Sequence, residues 1–181
     1  MGGLGNQMFQ YAAGRAIAIK NSTPLKLDIT WFNNPEARHY LLDLFAIKAE
    51  IATEKEIASF RGEKNELLTK KIGRIVSNTL FNRTYTEKDF SYDKNLLLCG
   101  SNTYIKGYFQ SHNYFSAIEP LLKKEFSLVR PIASIHHETV KKITDNNSVS
   151  LHIRRGDYAN NKVTSAYHGN LGTQYYTLQP T

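Results

Sequence analysis

The chain has 181 residues, of which 41% are apolar and 12% aromatic, a composition that indicates a globular protein and excludes a disordered one. The formal net charge of +7 fits an acidic partner, such as a nucleotide phosphate, a nucleic acid or an anionic membrane, or a soluble protein with basic helix faces. The single cysteine excludes an internal disulfide, and no apolar run is long enough to predict a membrane span. Because no signal peptide precedes the first helix, we expect a cytoplasmic protein.

The first segment, "MGGLGNQMFQ", places a glycine-rich turn directly before an amphipathic run. The spacing of apolar residues predicts a helix from Asn6 to about Lys20, with Asn6 as its N-cap. The alternation of Leu25, Leu27 and Ile29 then predicts a strand. Turn, helix and strand in this order are the second half of a βαβ unit, which indicates the α/β class.

The middle of the chain continues the alternation of helices and strands. Thr53 and Glu56 have the spacing of a capping box, which predicts the start of a helix. A basic helix is predicted over 66–80, and "TYIKGYF" predicts a strand that ends near Phe109. The polar stretch 80–100 has no clear pattern.

Two more helices are predicted in the second half. One is capped by Ser111 and covers "SHNYFSAIEPLLKKEF", where Pro120 marks either a kink or a fresh start. The other covers "IHHETVKKITDNN" and ends in asparagines. Basic pairs on these helices, including Lys123 and Lys124, indicate solvated helix faces rather than a nucleic-acid footprint.

The segment "SVSLHIRRGDY" is the most informative part of the sequence. Val149, Leu151 and Ile153 alternate with polar residues, which predicts a strand with these three side chains in a core. His152 and Arg154 then share the other face near the end of the strand. Open α/β sheets bind ligands at the C-terminal ends of their strands, so we expect a binding site here.

Arg154 and Arg155 place two guanidinium groups beside the turn that ends this strand. A guanidinium group is a planar, permanently charged fork that matches phosphate oxygens. Asp157 could hold one of the arginines in place or take part in proton transfer, and a surface ion-pair cluster is the structural alternative. The sequence has no D-x-D pair and no zinc-ligand spacing, so arginines would have to neutralise a bound diphosphate.

The glycine loop is a weak match to a dinucleotide-binding fingerprint. Gly3 and Gly5 begin the G-x-G-x-x-G pattern, but Met8 stands where the third glycine should be. Asp28 follows at a suitable distance for the acidic residue of that motif. No Gly-Lys-Ser or Gly-Lys-Thr follows the loop, so it is not a P-loop.

Taken together, "GGLGNQMFQYAAGRA" and "HIRRGDY" resemble the bacterial α-1,2-fucosyltransferases of glycosyltransferase family 11, and "YIKGYFQSHNYF" and "HGNLGTQYY" resemble the segments between and after these motifs. The resemblance implies a GT-B-like α/β fold. Residues 1–147 would form a Rossmann-like, acceptor-side domain, and residues 148–181 the first strand and loop of a truncated Rossmann-like, GDP-sugar-binding domain. The implied reaction transfers L-fucose from GDP-β-L-fucose to the 2-hydroxyl of a galactose, with inversion and without a metal or other cofactor.

The resemblance also implies roles for individual residues. Arg154 corresponds to the family arginine that contacts the β-phosphate and stabilises the leaving diphosphate. Asp157 and His168 are the two candidates for the catalytic base, and the choice between them stays open. The other candidates for donor or substrate binding lie in the glycine loop and beside the arginine, and they are Gly3, Gly5, Asn6, Gln7, His152 and Arg155.

Family members carry a strand before the glycine loop and continue well beyond the final Tyr-Tyr pair. We therefore expect this chain to be a partial copy, poorly soluble, without transferase activity of its own and with weak, salt-sensitive binding of GDP. The alternative function is that of a non-catalytic remnant that binds a nucleotide sugar or a glycan. The expected partners are GDP-fucose and a galactose-terminated glycan of O-antigen or lipopolysaccharide synthesis, with peripheral contact at the inner face of the bacterial membrane and no nucleic acid.

Overall fold

The computed structural model describes residues 1–61, 83–132 and 136–151. The chain divides into two compact units, Met1–Pro131 and Ile132–Thr181. The predicted boundary between residues 147 and 148 stays a prediction about the family's domains. The predicted basic helix over 66–80 and the segment 152–181, with its arginine motif, lie outside the described residues.

The first unit alternates helices with short strands. Its helices and strands are α1 (Leu4–Lys20), β1 (Lys26–Leu27), β2 (Glu50–Ile51), α2 (Glu54–Arg61), β3 (Arg83–Thr86), β4 (Thr103–Lys106) and α3 (Glu119–Glu125). Turns of 3₁₀ helix lie between them at Thr30–Asn33, Leu42–Leu44, Lys94–Leu98, His112–Tyr114 and Ser116–Ile118.

The strands form two parallel pairs. β1 pairs with β2, with Leu27 opposite Ile51, and β3 pairs with β4, with Tyr85 opposite Ile105. Two parallel strands that are neighbours need a crossover connection. α2 lies in the connection that leads from β2 of the first pair to β3 of the second. The described part of the chain is therefore of mixed α/β type, as the sequence predicts.

α1 lies at the centre of the first unit and is buried on most of its circumference. Tyr11, Ala12 and Ala13 are at most 2% exposed, because the small alanines let neighbouring elements approach the helix closely. Two apolar clusters meet on this helix. One joins Ala13 and Ile17 to Leu96, Phe109 and Tyr114, and the other joins Tyr11 and Ala12 to Leu42 and Leu122.

α1 and α2 cover opposite faces of the strands. Leu25 and Leu27 pack against the cluster around Tyr11 of α1. On the other face, Lys26 pairs with Glu56 of α2 at 2.5 Å, and the ring of Tyr104 lies 6.1 Å from that of Phe60 of α2. This alternation follows from the period of two along a strand, and it builds three layers in the order helix, strands, helix.

The structure corrects the predicted beginning and end of several elements. α1 begins at Leu4 with Gly3 as its N-cap, so the prediction that Asn6 caps the helix is wrong. Asn6 lies inside the first turn, and its Oδ1 accepts a hydrogen bond from Gln110 Nε2. Ile29 does not continue β1 but precedes the 3₁₀ turn that begins at Thr30.

The segment from Ser111 to Phe126 is not one helix as predicted. Residues 112–118 form two 3₁₀ turns, and the α-helix begins only at Glu119. Pro120 lies in the first turn of α3, which decides for the fresh start over the kink, since proline lacks the N–H that the first turn leaves unbonded. The capping box of α2 is confirmed, because Thr53 N–H donates to the Glu56 carboxylate at 2.8 Å.

In the second unit, α4 spans His137–Thr144, which confirms the predicted short helix. The prediction that Val149 and Leu151 are buried in a strand is wrong: their side chains are 96% and 66% exposed, and residues 148–151 form no strand. A strand buries its apolar side chains only where other elements pack against it. No such element pairs with this segment within the described ranges.

Candidate active site

The glycine loop before α1 contains one position that only glycine fits. Gly2 has φ +81°, in the left-handed region that side chains disfavour. A Cβ atom on Gly2 would also lie 2.6 Å from Asn6 Nδ2, well inside van der Waals contact. Gly2 therefore makes the tight turn that leads the chain into α1.

Neither a positive φ nor a close contact, the two constraints at Gly2, explains why glycine occupies positions 3 and 5. Among the described residues, apart from the adjacent residues and the backbone of α1 itself, no heavy atom lies within 4 Å of a Cβ atom built on either glycine. Gly5 also lies inside α1, where glycine costs about 1 kcal/mol relative to alanine. A surface without side chains at these two positions lets another molecule approach the backbone closely, which is the usual use of such glycines.

The N-terminus of α1 carries backbone N–H groups that have no acceptor inside the helix. The first bond inside the helix runs from Gln7 N–H to the Gly3 carbonyl at 3.1 Å, so the N–H groups before it have no partner within the helix. No side chain of the described residues caps α1, and the first turn of the helix has no acidic residue. These N–H groups and the helix dipole favour an anionic or hydroxyl-rich group.

The buried side chain of Gln7 holds the glycine loop in place. Its side chain is 2% exposed, and its Nε2 donates to the carbonyls of Gly2 and His39 at 3.1 and 2.8 Å. Its Oε1 accepts from Leu41 N–H at 2.9 Å. The amide therefore ties the glycine loop to the segment around residue 40, and its predicted contact with substrate stays a prediction.

A second loop follows β4 and meets the glycine loop. Gln110 Nε2 donates to Asn6 Oδ1 at 2.6 Å, which connects the two loops directly. The Glu87 carboxylate accepts from the N–H groups of Tyr108 and Phe109 at 2.6 and 2.9 Å. Phe109, 1% exposed, is held at φ +54°, a strained conformation of the kind that clusters at functional sites.

The sequence analysis did not single out Glu87 or Gln110. The signal that could have found this loop is Gly107, which directly follows β4. A Cβ atom there would lie 2.4 Å from the Cβ of Glu87, so the close approach of the two chain segments requires glycine. The sequence around Glu87 does not predict its role, because the N–H groups that its carboxylate accepts from lie 21 and 22 residues away.

The end of β1 adds charge to the same region. Asp28 Oδ1 accepts from the N–H and the hydroxyl of Thr30 at 2.9 and 2.6 Å, and Oδ2 accepts from Tyr104 Oη–H at 2.8 Å. Burial lowers the pKa of the Met1 amine below its usual value, and the Asp28 carboxylate opposes that shift. The glycine loop, Asp28 and the loop after β4 thus meet at the C-terminal ends of the parallel strands, where α/β proteins bind ligands.

The other predicted site residues are not placed by the structure. His152, Arg154, Arg155, Asp157 and His168 lie outside the described residues, so their convergence on this region stays a prediction. Within residues 1–61, 83–132 and 136–151, no three side chains of His, Cys, Asp or Glu form a group that could hold a metal ion. None of the described helices is both long and apolar enough to cross a membrane.

Comparison with known proteins gives the family. The chain matches the model of the family "Glycosyl transferase family 11" over residues 1–179. It is 32% identical over 177 residues to an Escherichia coli protein named alpha-1,2-colitosyltransferase, with 97% of this chain and 59% of the relative covered. It is 31% identical over 191 residues to the E. coli O-antigen biosynthesis glycosyltransferase WbnK, with 97% and 63% covered.

No solved structure matches the chain. The chain spans about three fifths of the length of the two curated relatives, 59% and 63%. Within that part, the family match extends over both motifs that carry the resemblance, the glycine loop near the start and the arginine segment after residue 148. The chain therefore belongs to glycosyl transferase family 11.

Proposed function

We propose that the protein is an inverting glycosyltransferase that transfers L-fucose from GDP-β-L-fucose to the 2-hydroxyl of a galactose in a bacterial surface glycan. The observation that carries the proposal is the family match over residues 1–179. The name of the first relative, an alpha-1,2-colitosyltransferase, supports the 1,2 linkage, and that of the second supports a role in O-antigen synthesis. The donor sugar and the acceptor galactose are the specific parts of the proposal.

The glycine loop supplies one wall of the proposed cleft. Gly3 and Gly5 leave the backbone open to a substrate, and the uncapped N–H groups of α1 can donate to hydroxyl or phosphate oxygens. Asn6 keeps its Nδ2 amide beside Gly2 while its Oδ1 is held by Gln110. The loop is thereby fixed before substrate arrives, which reduces the entropy that binding would otherwise cost.

The arginine segment supplies the charge that the leaving group needs. During inversion, the acceptor 2-hydroxyl oxygen forms a bond to the anomeric carbon, and the bond from that carbon to the diphosphate breaks. The departing GDP carries the electron pair, and the Arg154 guanidinium would stabilise that charge on the β-phosphate. The hydroxyl proton passes to a base, for which Asp157 and His168 are the proposed candidates.

A second donor sugar has a specific observation in its favour. The relative that is 32% identical is named for transfer of colitose. Transfer of colitose in the same α-1,2 linkage is therefore the second candidate function. The two candidates share the linkage and differ only in the sugar that is transferred.

The test uses the protein expressed from the whole reading frame in which this sequence lies. Purified protein is incubated with GDP-fucose and a galactose-terminated disaccharide, and the product is identified by mass spectrometry and its linkage by NMR. Arg154→Ala is the matched inactive control. Fucose on the 2-hydroxyl of galactose supports the proposal, whereas attachment at another hydroxyl, or transfer from a UDP-sugar in preference to GDP-fucose, contradicts it.

A further inference from the structure

Two aromatic side chains lie at the C-terminal edge of the strand pair formed by β3 and β4. Thr86 and Lys106, the last residues of these strands, are opposite each other in the parallel register. Phe90 follows the end of β3 by four residues, and Tyr108 follows the end of β4 by two. Their ring centroids are 6.4 Å apart, with an angle of 25° between the ring planes. We call these two rings the aromatic pair.

The aromatic pair leaves apolar ring surface open to solvent. Phe90 is 58% exposed and Tyr108 is half-buried, whereas the neighbouring Phe109 is 1% exposed. At a stacking distance of about 3.5 Å, a centroid separation of 6.4 Å means that the rings are displaced sideways by about 5 Å. Each ring therefore covers only part of the other, and the uncovered part is available to a ligand.

The loop that carries Phe90 is held at both ends. At its start, the Glu87 carboxylate accepts from Tyr108 N–H at 2.6 Å, so this loop is tied to the loop that carries the other ring. At its end, Asp93 N–H donates to the Tyr114 hydroxyl at 2.8 Å. Rings on a loop that is already fixed lose little conformational entropy when a ligand stacks on them.

The charge of the same loop indicates which ligand suits the aromatic pair. Residues 87–93 carry three carboxylates and one lysine, so the loop is acidic in a chain whose formal net charge is +7. Ser91 N–H donates to Asp89 Oδ1 at 2.7 Å, and this bond holds the pKa of the Asp89 carboxyl below its usual value. Ionised carboxylates repel a diphosphate but accept hydrogen bonds from sugar hydroxyls. The loop therefore favours a neutral sugar over a nucleotide.

The aromatic pair is continuous with the candidate active site. Gln110, two residues after Tyr108, donates through its Nε2 to Asn6 of the glycine loop at 2.6 Å. Gln110 is exposed, and an amide oxygen such as its Oε1 accepts from hydroxyl groups. The loops that meet the glycine loop thus offer apolar ring surface together with amide and carboxylate acceptors, the combination that a pyranose ring requires.

We propose that Phe90 and Tyr108 bind the acceptor glycan by stacking on its terminal galactose, an inference that rests on the proposed function. The C–H groups at carbons 3, 4 and 5 of galactose form one apolar patch, and their weakly positive hydrogens suit the negative face of an aromatic ring. The 2-hydroxyl lies outside this patch and stays free to attack the donor. Glucose, with the opposite configuration at carbon 4, lacks the continuous patch, so the aromatic pair selects for galactose.

Kinetics of the protein expressed from the whole reading frame test the proposal. Phe90→Ala and Phe90→Leu remove the ring, Phe90→Tyr keeps it, and Leu98→Ala is the matched control because Leu98 is also apolar and is 71% exposed. The alanine and leucine variants at Phe90 should raise the KM for a galactose-terminated disaccharide about tenfold, while kcat and the KM for GDP-fucose change less than about twofold. The tyrosine variant and the control should match the parent.

Binding measured without donor separates this proposal from the transferase function. Saturation-transfer NMR with the same disaccharide reports which sugar protons lie against the protein, and it needs no turnover. The galactose protons at carbons 3, 4 and 5 should receive the most saturation, and Phe90→Ala should remove it. This pattern without any transfer of fucose would contradict the proposed function alone. Active transfer with an unchanged acceptor KM in Phe90→Ala would overturn the role of the aromatic pair alone.

Four other results would also overturn the role of the aromatic pair. A rise in the KM for GDP-fucose instead of the acceptor would show that the rings stack on guanine. A lower Tm of Phe90→Ala with an unchanged acceptor KM would show that the ring packs within the protein. Equal saturation of a glucose-terminated disaccharide, or no saturation of the galactose-terminated one by the parent, would exclude selection for galactose. If Phe90→Ala does not fold, Phe90→Leu and Tyr108→Leu carry the same measurements.

Discussion

Replacing Glu125 with alanine should destabilise the first unit strongly, because this carboxylate is buried and holds three donors. Its side chain is 4% exposed. It accepts from Tyr11 Oη–H at 2.5 Å and from the Arg15 guanidinium at 2.9 to 3.2 Å. The Tyr11 hydroxyl in turn accepts from Lys48 N–H at 2.8 Å, so the network ties α3 to α1 and to the segment before β2.

The expected loss of stability depends on which buried groups each replacement leaves without a partner. Breaking a buried ion pair costs about 3–5 kcal/mol, and Arg15 keeps some contact with water at 19% exposure, so Glu125→Ala should cost about 3 kcal/mol. Glu125→Gln retains the shape and an acceptor for Tyr11 but loses the charge, so it should cost about 1–2 kcal/mol. For a chain of this size, 3 kcal/mol lowers Tm by about 6–12 °C.

Thermal and urea unfolding, followed by circular dichroism, measure these differences. Glu119→Gln is the matched control on the same helix, because Glu119 is 43% exposed. Loss of its exposed contacts with Lys123 and His112 should leave Tm unchanged within error. The double replacement Arg15→Leu, Glu125→Leu should be less destabilising than Glu125→Ala alone, since it leaves no charge buried without its partner. A Glu125→Ala variant within about 0.5 kcal/mol of the parent would refute the reasoning.

Three further predictions concern the glycine loop, the proposed donor site and the capping box. Gly5→Ala should stabilise the chain by about 0.5–1 kcal/mol in thermal unfolding, and it should lower the transferase activity of the whole-frame protein. Gly2→Ala should instead destabilise the chain by about 1–2 kcal/mol, because Gly2 has a positive φ. In the whole-frame protein, Arg154→Ala should lower kcat/KM about a hundredfold, or about 3 kcal/mol, with little rescue by lysine, and a loss under about threefold would count against the role. Lys26 and the capping box lower the pKa of Glu56 from 4.5 to about 2. The stability that the Glu56 carboxylate contributes is therefore present above pH 4.5 and is lost as the pH falls toward 2. Glu56→Gln should remove this pH dependence from the acid unfolding curve.

The sequence alone predicts the features that depend on neighbours a few residues apart. The period of 3.6 residues predicts α1, and the three-residue spacing of Thr53 and Glu56 predicts the start of α2. Both are present in the structure, as is the short helix α4. The motifs at the two ends of the chain likewise predict the family, because they are fixed runs of residues that need no tertiary contact to be read.

Only the tertiary structure decides which side chains of a strand are buried and what a polar side chain contacts. The alternation of Val149 and Leu151 is a sound local signal, yet both are exposed because burial depends on elements elsewhere in the chain. The predicted substrate contact of Gln7 stays a prediction, whereas its bonds to residues 32 and 34 positions away, which hold the glycine loop, are seen only in the structure. Gln110 reaches Asn6 across 104 residues. Hydrogen bonds between residues so far apart produce no periodic pattern in the sequence. The contact between the glycine loop and the loop after β4 is therefore seen only in the folded chain.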